Sequence, residues 1–355
     1  MNLTISSTTR NALAMYMQQQ ANMNSVSLSV VAGAQRFSVD PAVQQRMENA
    51  TQQSDDLLQK INVIGVPDMK GEKVLINVSG PAASVNTSTT ERREPTALHS
   101  LAARQYACEQ INYDTYISYA QLDAWSAHPD FQARISAQIA RRIALDRIMI
   151  GFNGTSRAVK SDRTSNPLLQ DCAVGWLESI RKNAAARVMS DVTITARDMD
   201  NAVTHKGKYN NPDALVQDAR SSLLDEWYKD SSDLVVMMGR DLFNTLRLPL
   251  INAMSAAAPN TELMAGQLIT SSRLIGGLPV YLAPFFPADA LLITSFDNLS
   301  IYYQVGALRR LMREEPDYNR IATYQSSNDA WVVEDFGKCA LITGLKLADE
   351  SNHED

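Results

Sequence analysis

Lys73-Val74-Leu75-Ile76-Asn77-Val78 sets Val74, Ile76 and Val78 on one face, and Ile111, Tyr113, Thr115, Ile117 and Tyr119 repeat with the same period of two. Alternate side chains of a strand point to opposite faces, so the two segments are expected to pair as one long hairpin. What separates them, Ser79 to Glu109, runs to roughly thirty residues, whereas compact domains connect strands with about two to six. It holds too few apolar residues to build a core of its own, is rich in Thr, Ser and Asn, and then carries Glu91-Arg92-Arg93-Glu94. Two expectations fit it: an arm meant for a neighbouring molecule, or an unstructured surface loop.

The 355 residues, 45% of them hydrophobic, suffice to bury a substantial core and to divide into two domains. With 33 basic against 39 acidic residues the net charge is -6, which excludes a general attraction to nucleic acid or anionic membrane. No apolar run is long enough to span a bilayer, and Met1 to Arg10 is Ser/Thr-rich without a basic start leading into an apolar stretch. An unsecreted, cytosolic product is expected. Cys108, Cys172 and Cys339 are odd in number and widely spaced, which argues for buried reduced thiols over a disulfide framework or a zinc site. His99, His128, His205 and His353 form no H-x-x-x-H or H-E-x-x-H pair, so no metal and no cofactor is expected.

The chain has no G-x-S-x-G elbow, no G-x-x-x-x-G-K-S/T phosphate loop and no G-x-G-x-x-G after a strand. Gly276-Gly277 is explained by a turn entering a strand. Asp55-Asp56 and Glu314-Glu315 fall in polar helix and turn contexts, where solvated charge is the ordinary role. No catalytic residue is assigned.

Along the chain, Leu13, Met17 and Ala21 give Thr9 to Asn24 a narrow apolar helical stripe, and Ser25 to Ala34 is expected to be an exposed, cuttable linker. Asp40 and Pro41 start a second helix cleanly, with Val43, Met47, Ala50, Leu57, Leu58 and Ile61 as its apolar face. Two sparsely apolar helices suit an arm lying across other surfaces. After His128-Pro129-Asp130 comes the strongest helical pattern, Phe131 to Ile150, on the order of 30 Å long and stopped by Gly151 or Gly154. Its Arg134, Arg141, Arg142, Asp146 and Arg147 are assigned to a solvated or inter-subunit face.

A helix holding Val174, Trp176, Leu177 and Ile180 follows, then a polar connector from Ser190 to Asn210. Asn211-Pro212 caps a helix with Leu215, Val216, Ala219, Leu223, Leu224 and Trp227. Beyond Ser231-Ser232 lie the apolar run Leu234 to Met238 and helices across Arg240 to Ser255 and near Thr261 to Leu268. Strands are expected at Leu278 to Ala283, Ala290 to Thr294, Leu299 to Tyr303, Arg309 to Glu314, Arg320 to Gln325, Ala330 to Val333 and Cys339 to Leu347. The class is mixed α+β.

Met69-Lys70-Gly71-Glu72-Lys73, Gln110-Ile111-Asn112, Gly151-Phe152-Asn153-Gly154, Ser165-Asn166-Pro167, Val174-Gly175-Trp176-Leu177, Phe286-Pro287-Ala288-Asp289-Ala290 and Val333-Glu334-Asp335 occur in order and at family spacing. In these strings, over about Phe37 to Leu347, the chain resembles the major capsid proteins of peduovirus-type (P2-like) tailed bacteriophages. The resemblance implies an HK97-like capsid fold: an N-terminal arm over 1–64, an E-loop hairpin over 65–127, a peripheral domain with a spine helix over 128–230, an axial domain over 231–318, and return strands with a C-terminal tail over 319–355.

It further implies self-assembly into hexamers and pentamers of an icosahedral head shell, built in the bacterial host cytoplasm and found in the virion. The shell encloses double-stranded DNA without sequence-specific binding. The partners implied are the chain itself, a viral scaffold and protease, a portal and decoration proteins, with no membrane. Glu91, Arg92, Arg93 and Glu94 are candidate inter-subunit contacts. Family members are trimmed near the N-terminus on maturation, and the matching stretch here begins at Phe37, so a cut near Arg36, Phe37 and Ser38 is expected. The rivals are an oligomeric cytosolic enzyme with an α/β ligand pocket over Leu234 to Ser255, and a morphogenetic scaffold that assembles transiently.

Overall fold

The structure is a computed structural model that describes residues 37–78, 99–125, 131–198, 202–246 and 274–348, with scattered positions in 10–32 and 85–92. Described positions between 10 and 22 are helical, and α1 (Leu28–Ala32) follows. The linker expected over Ser25 to Ala34 is corrected here: Val31 is buried, in a cluster with Ala21, Phe37, Val39, Val43, Leu308 and Met312. Tertiary burial organises a segment whose short side chains carry almost no local signal. After β1 (Phe37–Ser38), Asp40 caps α2 (Pro41–Gln53) by accepting from the Ala42 amide at 2.8 Å.

The arm character of this helix is also corrected. Gln44, Glu48 and Thr51 on its polar side are buried against the chain's own body, where Gln44 bonds the Gln304 carbonyl at 3.0 Å and the Gly306 amide at 2.7 Å. Ala50 is exposed, and the chain turns at Ser54, so Leu57 and Leu58 sit on a separate helix, α3 (Asp56–Lys60), inside the main core.

The hairpin forms with a different partner from the expected one. After β2 (Asn62–Val66), β3 (Lys70–Val78) pairs antiparallel with β4 (His99–Ala107), from Lys70 opposite Ala107 to Val78 opposite His99. Leu101 is the one branched apolar residue of β4, beside Ala102, Ala103 and Ala107, too few for a period-two pattern, yet main-chain pairing needs none. The segments that do show the pattern, β5 (Glu109–Asn112) and β6 (Thr115–Ser118), join the body's sheet instead, because that is where a buried face exists.

Beyond α4 (Tyr119–Trp125), the spine helix α5 runs Phe131–Asn153, about 35 Å. Gly154 ends it, and Gly151 lies within it because the Trp176 ring packs where a Cβ would stand. His128-Pro129-Asp130 lies outside the described residues. Then come α6 (Trp176–Asn183) and β7 (Val188–Ser190). The expected polar connector holds three short strands, β8 (Thr193–Ile194), β9 (Ala196–Arg197) and β10 (Val203–His205), with Val192 and Ile194 buried. Asn211 caps α7 (Pro212–Leu223), as its spacing predicts, but Trp227 falls in a later 3-10 turn and is half exposed. Residues 240–246 are helical; the helix expected near Thr261 to Leu268 lies outside the described residues.

The remaining strands are β11 (Val235–Met238), β12 (Leu274–Ile275), β13 (Leu278–Leu282), β14 (Leu291–Thr294), β15 (Leu299–Gln304), β16 (Arg309–Glu315), β17 (Arg320–Val333), β18 (Ala340–Thr343) and β19 (Lys346–Leu347). One sheet orders β12-β13-β11-β14-β18-β7, with α7 packed against it around Leu215, Val216 and Ala219. The other orders β1-β16-β17-β15-β2, with β5 and β6 also on β17. A shared core containing Leu57, Ile148, Trp176, Leu292, Trp331 and Leu341 joins them.

Two strands expected at Arg320 to Gln325 and Ala330 to Val333 are one, since Ser326-Ser327-Asn328-Asp329 continues the ladder. These polar residues resemble a turn in the sequence but are held in the strand by a buried charge network. Arg147, on α5, is buried and corrects its assignment to a solvated face. Its guanidinium forms a two-pronged ion pair with Glu48 of α2 and another with Asp329 of β17, the latter at 3.1 and 3.2 Å. Asp329 also accepts from Tyr113 and Ser327, each at 2.9 Å, and Trp331 Nε1 bonds the Arg147 carbonyl at 2.8 Å. Burial opposes the guanidinium's charge, but the fields of Asp329 and Glu48 outweigh it and raise the pKa well above its ordinary value.

Arg147→Met strands two buried carboxylates and is expected to destabilise the unassembled subunit by about 3–5 kcal/mol. Urea unfolding followed by tryptophan fluorescence measures it. A loss under about 1 kcal/mol, typical of exposed pairs, would show that the network is not a structural anchor.

Candidate functional site: the projecting hairpin and its root

Among the described residues β3 pairs with β4 alone and β4 with β3 alone, so this ribbon belongs to neither large sheet. A lone two-stranded ribbon is marginal in water, so its root needs anchoring. The Cys108 amide closes it by bonding the Met69 carbonyl at 2.8 Å. Tyr106 packs edge-on against Tyr302 of β15, centroids 5.2 Å apart, and with Cys108, Val66 and Ala330 forms a small apolar cluster. The Tyr302 hydroxyl donates to Glu334 at 2.9 Å; burial first, then the Glu334 charge, pushes its phenol pKa well up. Just beyond the root, Arg157 spans the Gln110 and Cys172 carbonyls at 2.6 and 2.7 Å, tying the loop after α5 to β5.

The predicted contact residues lie in the sequence between β3 and β4. Arg92 is exposed; Glu91, Arg93 and Glu94 lie outside the described residues. Arg36 also lies outside them. Phe37 is buried and Ser38 exposed, paired with Arg310 and Arg309 at the edge of the sheet. Ser38 Oγ donates to the Gly306 carbonyl at 3.0 Å, and the Val39 amide to Leu308 at 2.9 Å. Phe37 and Ser38 thus lie in a paired strand at the sheet's edge.

The acidic pairs have structural work. Asp55 caps α3, Asp56 pairs with Lys60 at 2.5 Å and accepts from Tyr281 at 3.0 Å, and Glu315, at a strand end rather than in a helix or turn, holds Arg320 and Tyr324. Gly276 and Gly277 have φ of +58° and +77°, as a turn demands. Among the described residues no three His, Cys, Asp or Glu side chains cluster as metal ligands, and no helix is long and apolar enough to cross a membrane. Sequence reasoning missed Tyr106, Cys108 and the Arg147 network. One signal was present: Arg147 lies four residues after Ile143 and three before Ile150, on the helix's apolar side.

Burial, with a smaller contribution from Asp329, pushes the Cys108 thiol up to about 11. At pH 8 such a thiol is about 0.1% thiolate, against about a quarter for an ordinary cysteine. In the native protein a disulfide reagent is expected to modify Cys172, which is partly exposed although burial raises its thiol too, before Cys108. Cys108 reacting first, as read by peptide mapping, would mean that the root stands open.

A family model described as phage major capsid protein, P2 family, matches residues 12–345. The major capsid protein of Serratia phage KSP20 is 54% identical over 344 residues, covering 97% of this chain and 98% of that one. The capsid proteins of Escherichia phage P2 are 43% identical over 347 residues, covering 97% and 96%. A chain from the solved structure of the satellite phage P4 procapsid, which includes a size determination (Sid) protein, is 41% identical with a TM-score of 0.75, covering 94% of this chain and 98% of its own. A paired ribbon standing off an α+β body, on a fold shared over nearly the whole chain with a procapsid subunit, is the HK97-like arrangement of a shell component. The chain belongs to the P2 family of phage major capsid proteins and forms the shell of the virion.

Proposed function

We propose that this chain self-assembles into hexamers and pentamers that close as an icosahedral head around double-stranded DNA. The observation that carries this is the ribbon β3–β4, which finds no strand partner in its own described chain. Such a limb gains burial only on another copy, so stability accrues to the lattice. Its role is structural rather than catalytic, in keeping with the family.

The working division is an arm over 1–64, the E-loop hairpin over 65–127, a peripheral domain over 128–230, an axial domain over 231–318 and return strands over 319–355. In it β15 and β16 pass from the axial stretch into the peripheral sheet. A scaffold and protease, a portal and decoration proteins are the further partners; the size determination protein in the P4 procapsid supports an outside factor that sets shell dimensions. A net charge of -6 suits a wall that holds DNA without gripping it. Glu91, Arg92, Arg93 and Glu94 choose a neighbour by charge, each exposed pair contributing about 0–1 kcal/mol.

Electron microscopy of the protein expressed alone is expected to show shells, tubes or capsomer rings. A small soluble oligomer would overturn the assignment of self-assembly. In the same assay Arg92→Glu with Arg93→Glu is expected to lower particle yield, and unchanged yield removes the tip from the determinants.

Maturation is expected to cut near Arg36–Ser38. This would detach Ala21 and Val31 from the cluster they share with Val43 and Met312, while β1 and α2 stay with the body. Intact mass of protein from mature virions tests it; a full-length mass retaining Met1 ends the proposal.

A further inference from the structure

Ile139 of the spine helix packs against both the main core and the N-terminal cluster, and a cavity of about 230 Å³ lies on the seam between them. α2 and α5 wall it with Met47, Ala50, Ile139, Ala140 and Ile143, and Leu308, just before β16, completes the apolar side. Ala50 and Ser136 are exposed, so the cavity opens to solvent between the two helices, with exposed Arg46 at the rim. The floor is one face of the sheet: Arg310 of β16 stands directly opposite Gln325 of β17, and Ser327 follows on the same side.

The floor carries hydrogen-bonding capacity that the chain itself does not use. Gln325 is 6% exposed, and its main chain is engaged: its amide donates to Asp114 at 3.2 Å and its carbonyl accepts from the Tyr113 amide at 2.7 Å. Among the described residues nothing bonds its side-chain amide, although buried polar groups are ordinarily satisfied. Arg310, buried beside it, presents a planar fork of donors that a single partner does not exhaust. The other charges at the floor answer one another, Glu48 with Arg147 and Arg147 in turn with Asp329. A carboxylate set between Arg310 and Gln325 therefore meets N–H donors from both, one of them charged.

We propose that this cavity binds a single-chain aliphatic carboxylate, a medium-chain fatty acid, with its head group on Arg310 and Gln325 and its hydrocarbon between α2 and α5. An apolar cavity of about 150 Å³ takes a six-carbon ring, so on that scale this one takes a chain of about nine carbons, and a two-chain lipid does not fit. The site is complete within one chain, so its occupancy is independent of how copies meet in the shell. A ligand there joins α2 to the spine helix and stabilises the folded subunit by mass action.

The test titrates decanoate, below its micellar concentration, into the full-length protein and reads binding by isothermal titration calorimetry. One saturable site per chain is expected. Acetate, which lacks the chain, and decyltrimethylammonium, which reverses the charge, are expected not to bind at the same concentrations. Gln325→Glu sets a carboxylate against the head group and Ala140→Phe fills the apolar part, and each is expected to weaken decanoate by about tenfold or more. Arg46→Ala at the rim is expected to change it by less than about twofold. No saturable decanoate site, equal binding of decyltrimethylammonium, or unchanged affinity in either Gln325→Glu or Ala140→Phe overturns the proposal, as does a loss that follows Arg46→Ala alone.

Wild-type protein gives a second readout where a variant does not fold. A decanoate carrying a diazirine at its chain end is expected, on irradiation, to label α2 around Met47 to Ala50 and α5 around Ser136 to Ala140, and excess decanoate is expected to remove that label. Label confined to other segments, or label that decanoate does not displace, places the ligand elsewhere and overturns the site.

Discussion

Arg147 sits on the spine helix, where burial strips water from its guanidinium, and a charge without water must meet its counter-charges at fixed positions. Those positions are far apart in sequence: Glu48 in α2 and Asp329 in β17, the longest described strand. Tyr113, at the junction of β5 and β6, joins through Asp329, and Trp331 holds the helix backbone through the Arg147 carbonyl. Four segments are thereby brought into one register. Apolar packing of the same volume would serve stability as well or better, but apolar surfaces slide, whereas a planar guanidinium between two carboxylates admits one arrangement.

That fixed centre bears on the hairpin. The ribbon leaves the body at Ala107 and Cys108, next to Glu109, which is paired opposite Asp329, so the ribbon's base is set by the buried network while its far end is not. A shell subunit that meets several neighbours needs a stiff root to aim the ribbon. Exposed charge contacts between copies are individually weak, which serves assembly, since a misplaced copy can leave before the lattice traps it.

How much of this was legible in the sequence follows from where each signal originates. Helix caps and starts are local, so Asp40-Pro41, Asn211-Pro212 and the long apolar run of the spine helix were plain. The period of two at Ile111 to Tyr119 was also genuine, but periodicity reports a buried face and not a partner, and it was assigned to the hairpin when it belonged to the sheet. The true partner, His99 to Ala107, alternates no branched apolar residues and so leaves no pattern. Polar stretches misled in the opposite direction: Gln44, Glu48 and Ser326 to Asp329 resemble solvent-facing helix and turn, and only distant partners make them interior, Arg147 for Glu48 and Asp329 and the turn at Gln304 to Gly306 for Gln44 and Asn328. The family strings succeeded where local rules failed because collinear spacing carries long-range information that no single window holds.

The same network ties the stretch after Phe37 to the body. Glu48 and Gln44 bind α2 to the spine helix and to the turn at Gln304 to Gly306, and β1 adds main-chain pairing just ahead of it. Among the described residues before Phe37 the contacts with the body are apolar: Ala21 and Val31 are buried in the cluster with Leu308 and Met312, and Met17 and Val26 pack against it. The division before Phe37 proposed above would leave the pairing of β1 and the bonds of α2 on the body side and sever only apolar contacts among the described residues.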